Sequence, residues 1–350
     1  MRVLITGGAG FIGSALARRL MAGGGHSVLV YDALTYAASP EALAGLAGQP
    51  GYVFVQGDVC DAPAVAAALA AFRPEVVAHL AAETHVDRSI DGPGVFVRTN
   101  VMGTAVVLEQ ALAYWRGLDA AGREEFRLHH ISTDEVFGSL GEAGRFTETS
   151  PYDPRSPYAA SKAGADHLVR AWGATYGLPV LVTNCSNNYG PFHFPEKLIP
   201  LMIARALQGQ TLPVYGDGGQ VRDWLHVDDH ARALETVFLR GTPGRTYNVG
   251  GDAERRNIEV VQAICRLLDR MRPRDDGRSY AEQIVSAPDR PGHDRRYAID
   301  AARIRDELGW APEIDFDRGL EATVGWYLEN EAWWRAILAG RYDGRRLGAA

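Results

Sequence analysis

Cysteine is scarce in this sequence of 350 residues, where only Cys60, Cys185 and Cys265 occur. Their odd number and wide spacing match no metal-binding or disulfide pattern, which is typical of a protein from a reducing cytoplasm. Apolar runs long enough to cross a bilayer are absent. A strand-like Val3-Leu4-Ile5 begins so near the first residue that we expect no signal peptide. These absences predict a cytoplasmic protein that does not contact a membrane.

Long basic runs and internal repeats are absent as well. The formal net charge is −7, which does not favour nucleic acid as a partner. Hydrophobic residues make up 46% of the chain and charged residues 23%, an ordinary globular balance. The length suits one large α/β domain with an added lobe. The sequence therefore predicts a globular protein with small-molecule ligands.

A glycine-rich turn follows the first predicted strand. Gly8, Gly10 and Gly13 satisfy the pattern G-x-G-x-x-G between an apolar strand and the helical run 14–22. Glycines there allow a tight turn and let the backbone approach a pyrophosphate at the helix N-terminus, although a plain glycine turn fits as well. The next predicted strand, 27–31, ends in Asp32, whose carboxylate suits a ribose 2′-hydroxyl and repels a 2′-phosphate. The pattern predicts NAD and not NADP.

Strands and helices continue to alternate, which predicts a Rossmann-type doubly wound parallel sheet. We expect strands at 52–55, 76–82, 126–132 and 180–183, and helices at 62–72 and 97–114. Ligands bind beyond the carboxyl ends of such strands, so the loop 83–89 should border the nicotinamide. Asp58, after the third strand, suits either a bond to the adenine amino group or a helix cap or turn.

The stretch from Ile131 to Lys162 carries the residues with the most reactive side chains. Tyr158 and Lys162 are four apart, which places both on one face of a helix. A phenol has a pKa of about 10, and a nearby ammonium lowers that value, so the pair can take a proton from a hydroxyl as its hydride leaves. Asp134 and Glu135 form an acid–base pair that alcohol oxidation does not need. Taken alone, each pair also fits an exposed surface pair or solvated loop residues.

Together these motifs resemble the extended short-chain dehydrogenase/reductases that act on nucleotide sugars. The run Gly7-Gly8-Ala9-Gly10-Phe11-Ile12-Gly13 and the pattern Tyr158-x-x-x-Lys162 are similar to that family as a whole. The runs Ser132-Thr133-Asp134-Glu135-Val136-Phe137-Gly138 and Ala82-Glu83-Thr84-His85-Val86-Asp87-Arg88-Ser89 are similar to its dTDP-glucose 4,6-dehydratase branch. Thr84 and Ala159 stand where serine is common, and both leave the catalytic groups untouched.

The resemblance covers nearly the whole chain and implies an α/β fold in two parts. An NAD-binding Rossmann domain with the catalytic residues is expected over 1–190, and a smaller C-terminal substrate-binding lobe mainly over 191–350. The chain is expected to cross between them more than once. The resemblance also implies a homodimer formed through helices near 97–114 and 158–176.

The implied reaction is a hydro-lyase reaction from dTDP-glucose to dTDP-4-keto-6-deoxyglucose and water. Tyr158, assisted by Lys162, takes the C4 hydroxyl proton while NAD accepts the C4 hydride. Glu135 then removes the C5 proton, protonated Asp134 donates to the departing C6 hydroxyl, and the hydride returns to C6. Thr133 polarises the C4 oxygen. The two carboxyls need opposite protonation states, which different surroundings can supply.

The resemblance further implies which residues contact the ligands. The implied cofactor contacts are Gly7, Gly10, Phe11, Ile12, Gly13, Asp32, Asp58, Val59, Leu80, Ala81, Ala82, Thr99, Tyr158, Lys162 and Asn188. The implied substrate contacts are Thr84, His85, Thr133, Asn187, Glu196, Lys197, Leu198, Pro213, Val214, Tyr215, Arg222, Asn257, Asp289, Arg290 and His293. Among these, 213–215 should flank the thymine base and Arg222 suits a diphosphate. No metal ion is implied.

Three further patterns predict local structure. Asp228-Asp229-His230 is interpreted as a helix start with Asp228 as the N-cap, in preference to a metal site. Asn257 opens a helix, where it is either the cap or a ligand contact. The Trp-rich segment 319–338 is expected to be one amphipathic helix used for packing.

Two other functions fit parts of the pattern. A nucleotide-sugar 4-epimerase or decarboxylase of the same fold would use Tyr158 and Lys162, but an epimerase has no use for Asp134 and Glu135. A decarboxylase needs a uronic acid and a basic pocket for its carboxylate. A catalytically silent NAD-sensing protein would not require these four side chains.

Overall fold

The structure is a computed structural model that describes residues 1–289, 293–340 and 342. Its strands are β1 (Arg2–Thr6), β2 (Ser27–Asp32), β3 (Tyr52–Gln56), β4 (Val76–His79), β5 (Arg127–Thr133), β6 (Val180–Cys185), β7 (Asn187–Tyr189), β8 (Leu212–Tyr215), β9 (Val221–His226), β10 (Thr246–Val249), β11 (Glu254–Arg256) and β12 (Ile284–Ala287). Its α-helices are α1 (Phe11–Gly23), α2 (Ala62–Phe72), α3 (Val86–Asp91), α4 (Pro93–Phe96), α5 (Thr104–Arg116), α6 (Ala120–Glu125), α7 (Pro157–Tyr176), α8 (Leu198–Leu207), α9 (Val227–Arg240), α10 (Asn257–Met271), α11 (Ala302–Leu308), α12 (Phe316–Glu329) and α13 (Glu331–Gly340). Short 3₁₀ turns cover Pro40–Leu46, Asp134–Phe137 and Tyr280–Gln283, and a π-helical turn covers Val97–Gly103.

A seven-stranded parallel sheet forms the centre of the fold. Its order is β10-β6-β5-β4-β1-β2-β3. The inner strands are almost entirely buried, polar residues included, because helices cover both faces of the sheet. Two βαβ series run outward from β1 in opposite directions, so the carboxyl ends of β1 and β4 flank a crevice. This arrangement confirms the predicted Rossmann-type, doubly wound sheet.

The second half of the chain contributes to this sheet and also builds two smaller ones. Strand β10 pairs with β6, and α9 packs against α1 within one hydrophobic core. The smaller sheets have the orders β11-β9-β7 and β12-β8. They pack with α8, α10, α12 and α13 around a second core that includes Tyr189, Trp224 and Trp334. A boundary near residue 190 stays a prediction.

Two elements near the predicted cofactor site differ from the expected bounds. Strand β4 ends at His79 and not at residue 82, because the backbone of Gly7 passes so close to Ala81 that a Cβ on Gly7 would lie 2.6 Å from the Ala81 nitrogen. The Ala81 N–H then bonds the hydroxyl of Thr6. The helix expected at 97–114 begins with the π turn and continues as α5 to Arg116. The π turn contains Asn100, whose buried amide bonds the backbone of Glu83.

Two predictions of helix ends were wrong. Asp228 is not the N-cap of α9, because His226 occupies that position and its Nδ1 accepts from the Asp228 N–H at 3.3 Å. The segment 319–338 is not one helix, since α12 ends at Glu329 and α13 starts at Glu331. The Asn330 amide donates to the Trp326 carbonyl at 2.8 Å, which satisfies the last turn of α12. The buried Trp334 indole then bonds the Tyr327 carbonyl, so the expected packing role of this segment is confirmed.

The described residues hold no cluster of metal ligands and no helix that is long and apolar enough to span a membrane.

Candidate active site

The turn between β1 and α1 forms a cradle that only glycine allows. Gly7 has a φ of +69°, and a Cβ on Gly13 would lie 2.8 Å from the Gly8 Cα. Helix α1 begins at Phe11 without a capping side chain among the described residues. The N–H groups of its first turn therefore keep donors available for an anionic group. The residues Gly7, Gly10, Phe11, Ile12 and Gly13 fit the pyrophosphate of a dinucleotide.

Asp32 lies beside this turn at the carboxyl end of β2. Its Oδ2 accepts from the Ala9 N–H at 2.9 Å and its Oδ1 from the Leu34 N–H at 2.8 Å. Burial raises the pKa of Asp32, and these two backbone bonds oppose that rise. Each carboxylate oxygen keeps a further lone pair, so the fixed carboxylate fits the ribose hydroxyls of the expected cofactor.

The other predicted cofactor residues follow the same edge of the sheet, at Val59 after β3, Leu80, Ala81 and Ala82 after β4, Thr99 in the π turn, and Asn188 in β7. Asp58 forms a turn, with Oδ1 accepting from the Cys60 N–H and Oδ2 3.0 Å from the Arg98 guanidinium. A bond from Asp58 to adenine stays a prediction. The Asn188 amide is held between the Ser186 carbonyl and Nδ1 of His230. Its orientation is therefore fixed before any ligand binds.

Helix α7 presents Tyr158 and Lys162 to this edge. Ser156 caps the helix through the Ala159 N–H, and Pro157 starts its first turn. The Lys162 ammonium is buried, donates to the Ile131 carbonyl at 2.8 Å and lies 3.5 Å from Nε2 of His130. These contacts hold the ammonium on the face of α7 that carries Tyr158.

The pKa of Tyr158 is not lowered as the sequence predicted. Burial raises it well above its usual value, and the carboxylate of Glu135 raises it further, while a hydrogen bond from the Thr133 hydroxyl lowers it. Desolvation and a nearby negative charge both disfavour a phenolate. Tyr158 is therefore a phenol in this structure, and its activation requires positive charge close by.

Thr133, Asp134 and Glu135 follow at the end of β5, where a 3₁₀ turn begins. Asp134 is fully buried, whereas Glu135 is only half-buried. Burial and the charge of Glu135 raise the pKa of Asp134 well above its usual value. The buried Oδ2 of Asp134 meets no hydrogen-bond partner among the described residues. Two consecutive carboxyls thus differ in environment, and the raised pKa of Asp134 favours its neutral form.

Next to Glu135 lies a cavity between the large sheet and the smaller sheets. Eleven of the predicted substrate residues line it, namely His85, Asn187, Glu196, Lys197, Leu198, Pro213, Val214, Tyr215, Arg222, Asn257 and His293. Hydrophobic and aromatic side chains alternate there with a few polar ones, as is usual for a small-molecule site. The structure thus brings together residues from most of the chain's length.

Four predicted substrate residues do not line the cavity or cannot be described. Thr84 is exposed, and its carbonyl accepts from the Lys197 ammonium at 2.9 Å. Thr133 does not line the cavity, and its hydroxyl oxygen accepts a hydrogen bond from the Glu135 N–H. Asp289 is bonded to His293, which does line the cavity, and to Gln220. Arg290 lies outside the described residues.

The carboxylate of Glu196 joins the two halves of the chain. Its buried carboxylate lies 2.8 Å from Nε of Arg88 and accepts from the Tyr36 hydroxyl at 2.9 Å. The Arg88 guanidinium also stacks 3.8 Å from the centre of the Tyr36 ring. Glu196 therefore links the substrate cavity to α3 and to the loop after β2, whatever else it contacts.

Several residues at the site were missed by the sequence reasoning. Trp224 and Tyr297 line the cavity, and His130 and Asp166 lie beside Lys162. One sequence signal was available for the reactive lysine. Lys162 and Lys197 are the only lysines among 36 basic residues, and both lie at the site.

Comparisons with known proteins agree with this geometry. The family model described as GDP-mannose 4,6 dehydratase matches residues 4–323. A dTDP-glucose 4,6-dehydratase of Xanthomonas campestris pv. campestris (strain B100) is 58% identical over 346 residues, which cover 99% of this chain and 98% of that protein. dTDP-glucose 4,6-dehydratase 1 of Escherichia coli (strain K12) is 55% identical over 352 residues, with 98% and 97% covered. The crystal structure of a dTDP-glucose 4,6-dehydratase from Streptomyces venezuelae with NAD bound has a TM-score of 0.88 and 45% identity, with 96% of this chain and 100% of that chain covered.

Proposed function

The chain belongs to the GDP-mannose 4,6 dehydratase family, and we propose that it converts dTDP-glucose into dTDP-4-keto-6-deoxyglucose and water with NAD as its cofactor. One observation carries this proposal beyond the likeness to relatives. Asp134 is a fully buried carboxyl, with a pKa that burial raises well above its usual value, beside the half-buried Glu135, on the same edge as Tyr158 and Lys162. Oxidation followed by elimination requires a Tyr–Lys pair that takes the hydroxyl proton, a base for the C5 proton and an acid for the leaving hydroxyl. This site offers all three.

NAD, when bound, would supply the acceptor of the C4 hydride and the donor of that hydride to C6. In our proposal, Tyr158 first gives its own proton to solvent, and the ammonium of Lys162 stabilises the resulting phenolate. The phenolate then takes the C4 hydroxyl proton and becomes a phenol again. The Thr133 hydroxyl, which donates to Tyr158 in this structure, would turn its one proton to the C4 oxygen when the sugar binds. Glu135 removes the C5 proton, which the C4 ketone has made acidic. Asp134 gives its proton to the departing C6 hydroxyl.

Two features support a nucleotide sugar as the ligand of the cavity. Tyr215 lies on one side with Pro213 and Val214, and its ring can cover a planar base. Arg222 is buried, stacks 4.3 Å from the centre of the Tyr297 ring, and donates to the Asp294 carbonyl at 3.1 Å. A guanidinium fixed in this way suits a diphosphate. A silent NAD-binding protein would not need a neutral acid at Asp134.

The proposal is tested by a mixed incubation of C4-deuterated and unlabelled dTDP-glucose with the purified protein. We expect deuterium at C6 of the same molecules, because a closed site keeps the transferred hydride from solvent. C5 should take its hydrogen from water, since Glu135 can exchange its proton. Net release of reduced cofactor, an epimerised hexose, or loss of the deuterium to water would each refute the dehydratase. Parallel incubations with UDP-glucose and UDP-galactose test the nucleobase and the epimerase alternative.

We also propose that the protein is a cytoplasmic homodimer that pairs through the helices at 97–114 and 158–176. Exposed apolar side chains at the start of the first helix support this, since Val95, Val97 and Met102 are 48%, 52% and 57% exposed. Sedimentation at micromolar concentration should give the mass of a dimer, and Val97→Lys should shift it towards a monomer. A monomer in the unaltered protein would contradict the proposal.

A further inference from the structure

Behind the reactive pair, α7 carries a row of residues that the proposed reaction does not use. Tyr158, Lys162, Asp166 and Arg170 follow at intervals of four, which places them one above another on one face of the helix. Asp166 is fully buried, as is Lys162. A buried charge is strongly unfavourable unless it is paired and hydrogen-bonded. The surroundings of Asp166 therefore decide what it does.

Asp166 is surrounded by polar groups from three directions. Its Oδ1 lies 3.2 Å from Nε2 of His130 on β5, which in turn lies 3.5 Å from the Lys162 ammonium. Its Oδ2 accepts from the Tyr152 hydroxyl at 2.7 Å and from the Asn184 amide at 3.2 Å. The Arg170 guanidinium donates to the same tyrosine oxygen at 2.7 Å. Burial raises the pKa of Asp166, but its neighbours, His130 and Lys162 among them, bring it below its usual value, which favours the carboxylate.

Titratable groups surround Lys162, and Asp166 is the one among them that contributes a negative charge. His79 from β4, His130 from β5 and Cys185 from β6 face it across the sheet, and Tyr158 and Asp166 flank it on α7. Burial lowers the pKa of both histidines and raises that of Cys185, which favours the neutral form of all three. Burial lowers the pKa of Lys162, and Asp166 raises it.

We propose that Asp166 is a positioning residue for the reaction: it is the buried counter-charge that acts electrostatically across His130 and keeps Lys162 an ammonium next to Tyr158. One nitrogen of His130, Nε2, faces both charged groups and can hydrogen-bond only one of them, so the carboxylate acts on the ammonium electrostatically across the ring. The Ile131 carbonyl fixes the direction of the ammonium. Without the carboxylate, the buried lysine releases its proton more readily, and the phenolate of Tyr158 loses its support. Asp166 would then act on the reaction without touching the substrate.

The composition of the chain allows a direct measurement. Because Lys162 and Lys197 are the only lysines, holoenzyme labelled with ¹³C at lysine gives two side-chain signals, and Lys197→Arg assigns them. We expect Asp166→Asn to lower the half-titration pH of Lys162 by about one pH unit or more, the usual effect of losing a close opposite charge. The alkaline loss of kcat/KM on dTDP-glucose should move to lower pH by the same amount.

Two control variants separate charge from structure. Tyr152→Phe removes a hydrogen bond to the same carboxylate but leaves its charge, so the Lys162 titration should not move. Asp229→Asn makes the same change at another buried aspartate, which pairs with Arg232 at 2.8 Å on α9, and should lower stability without moving the titration. An unchanged titration in Asp166→Asn, or an equal shift in Tyr152→Phe, would overturn the proposal.

If Asp166→Asn folds poorly, the pairing can be tested by a double-mutant cycle that compares the free energies of unfolding. If the variant suffers from an unpaired buried ammonium, Lys162→Met should restore stability in the double variant, since both charges are then gone. A double variant no more stable than Asp166→Asn would refute the pairing. The kinetic measurement rests on the proposed function, whereas the lysine titration and the stability cycle do not. Absence of turnover would therefore refute the proposed function. The proposal that Asp166 is the counter-charge of Lys162 would still be tested by the titration and the stability measurements.

Discussion

At the scale of residues, the site depends on two neighbouring carboxyls with different surroundings. Asp134 is buried with a raised pKa, and Glu135 borders the cavity. We expect Asp134→Asn to stall the reaction after the first hydride transfer, because an amide cannot protonate the C6 hydroxyl. Product formation should fall by at least ~10²-fold, and the absorbance of reduced nicotinamide should persist in a single turnover. Glu142→Gln, an exposed carboxyl in a loop, is the control. Normal dehydration by Asp134→Asn would remove it as the acid.

The proposed role of Tyr158 also depends on a single group, its hydroxyl. Tyr158→Phe keeps the buried ring but removes the proton acceptor, so kcat should fall by about 10²- to 10⁴-fold. Binding of dTDP, measured by calorimetry, should change little because the cavity residues remain. Tyr176→Phe at the exposed end of the same helix should leave both unchanged. If Tyr158→Phe turned over at a near-normal rate, another group would have to take the proton.

At the scale of elements, the β1–α1 turn is the most constrained connection at the site. A Cβ at Gly13 would meet the backbone of Gly7 and Gly8, so Gly13→Ala must open the turn. We expect NAD affinity to fall at least tenfold, about 1.4 kcal/mol, and the free energy of unfolding to fall by about 1–3 kcal/mol. Gly23→Ala, on the same helix with nothing within 4 Å, should be neutral or slightly stabilising. Titration of NAD and thermal melting measure both effects, and equal results for the two variants would contradict the argument.

At the scale of the whole molecule, buried histidines make the fold sensitive to acid. Burial lowers the pKa of His129 and His230 to about 3 and, with the Lys162 ammonium, that of His130 to about 4. An unfolded histidine has a pKa of about 6.5. Between these values the unfolded state binds more protons, so the free energy of unfolding falls as pH drops below about 6.5. Asp223 opposes this below about pH 6, because burial raises its pKa to about 6.

The contribution of one histidine can be isolated by substitution. His129 lies on β5 on the side opposite His130, where its Nε2 contacts the Thr183 hydroxyl at 3.1 Å. His129→Asn cannot titrate, so the stability lost between about pH 7 and about pH 5 should shrink by about 2 kcal/mol. Urea unfolding at both pH values measures it, with His167→Asn on the exposed face of α7 as the control. An unchanged loss in His129→Asn would show that His129 is not neutral in the fold.

The order of the elements and the spacing of the motifs were determined by the sequence alone. Strands β1 and β2 and the glycine turn follow from patterns over a few residues, because strand, turn and helix preferences are local. The pairing of Tyr158 with Lys162 follows from helix geometry in the same way. Local patterns did not find the break at Asn330 or the cap at His226, since each depends on a side chain that competes with a more familiar signal.

Only the tertiary structure decided the electrostatics of the site. The sequence placed Asp134 and Glu135 together but could not show which is neutral, since that follows from how deeply each is buried. It predicted a lowered pKa for Tyr158, whereas burial raises it. The helical spacing put Asp166 beside Lys162, but it gave no sign that His130, 32 residues before that lysine, lies against both of them. Desolvation and long-range pairing are properties of packing, and packing brings together residues that are far apart in the chain.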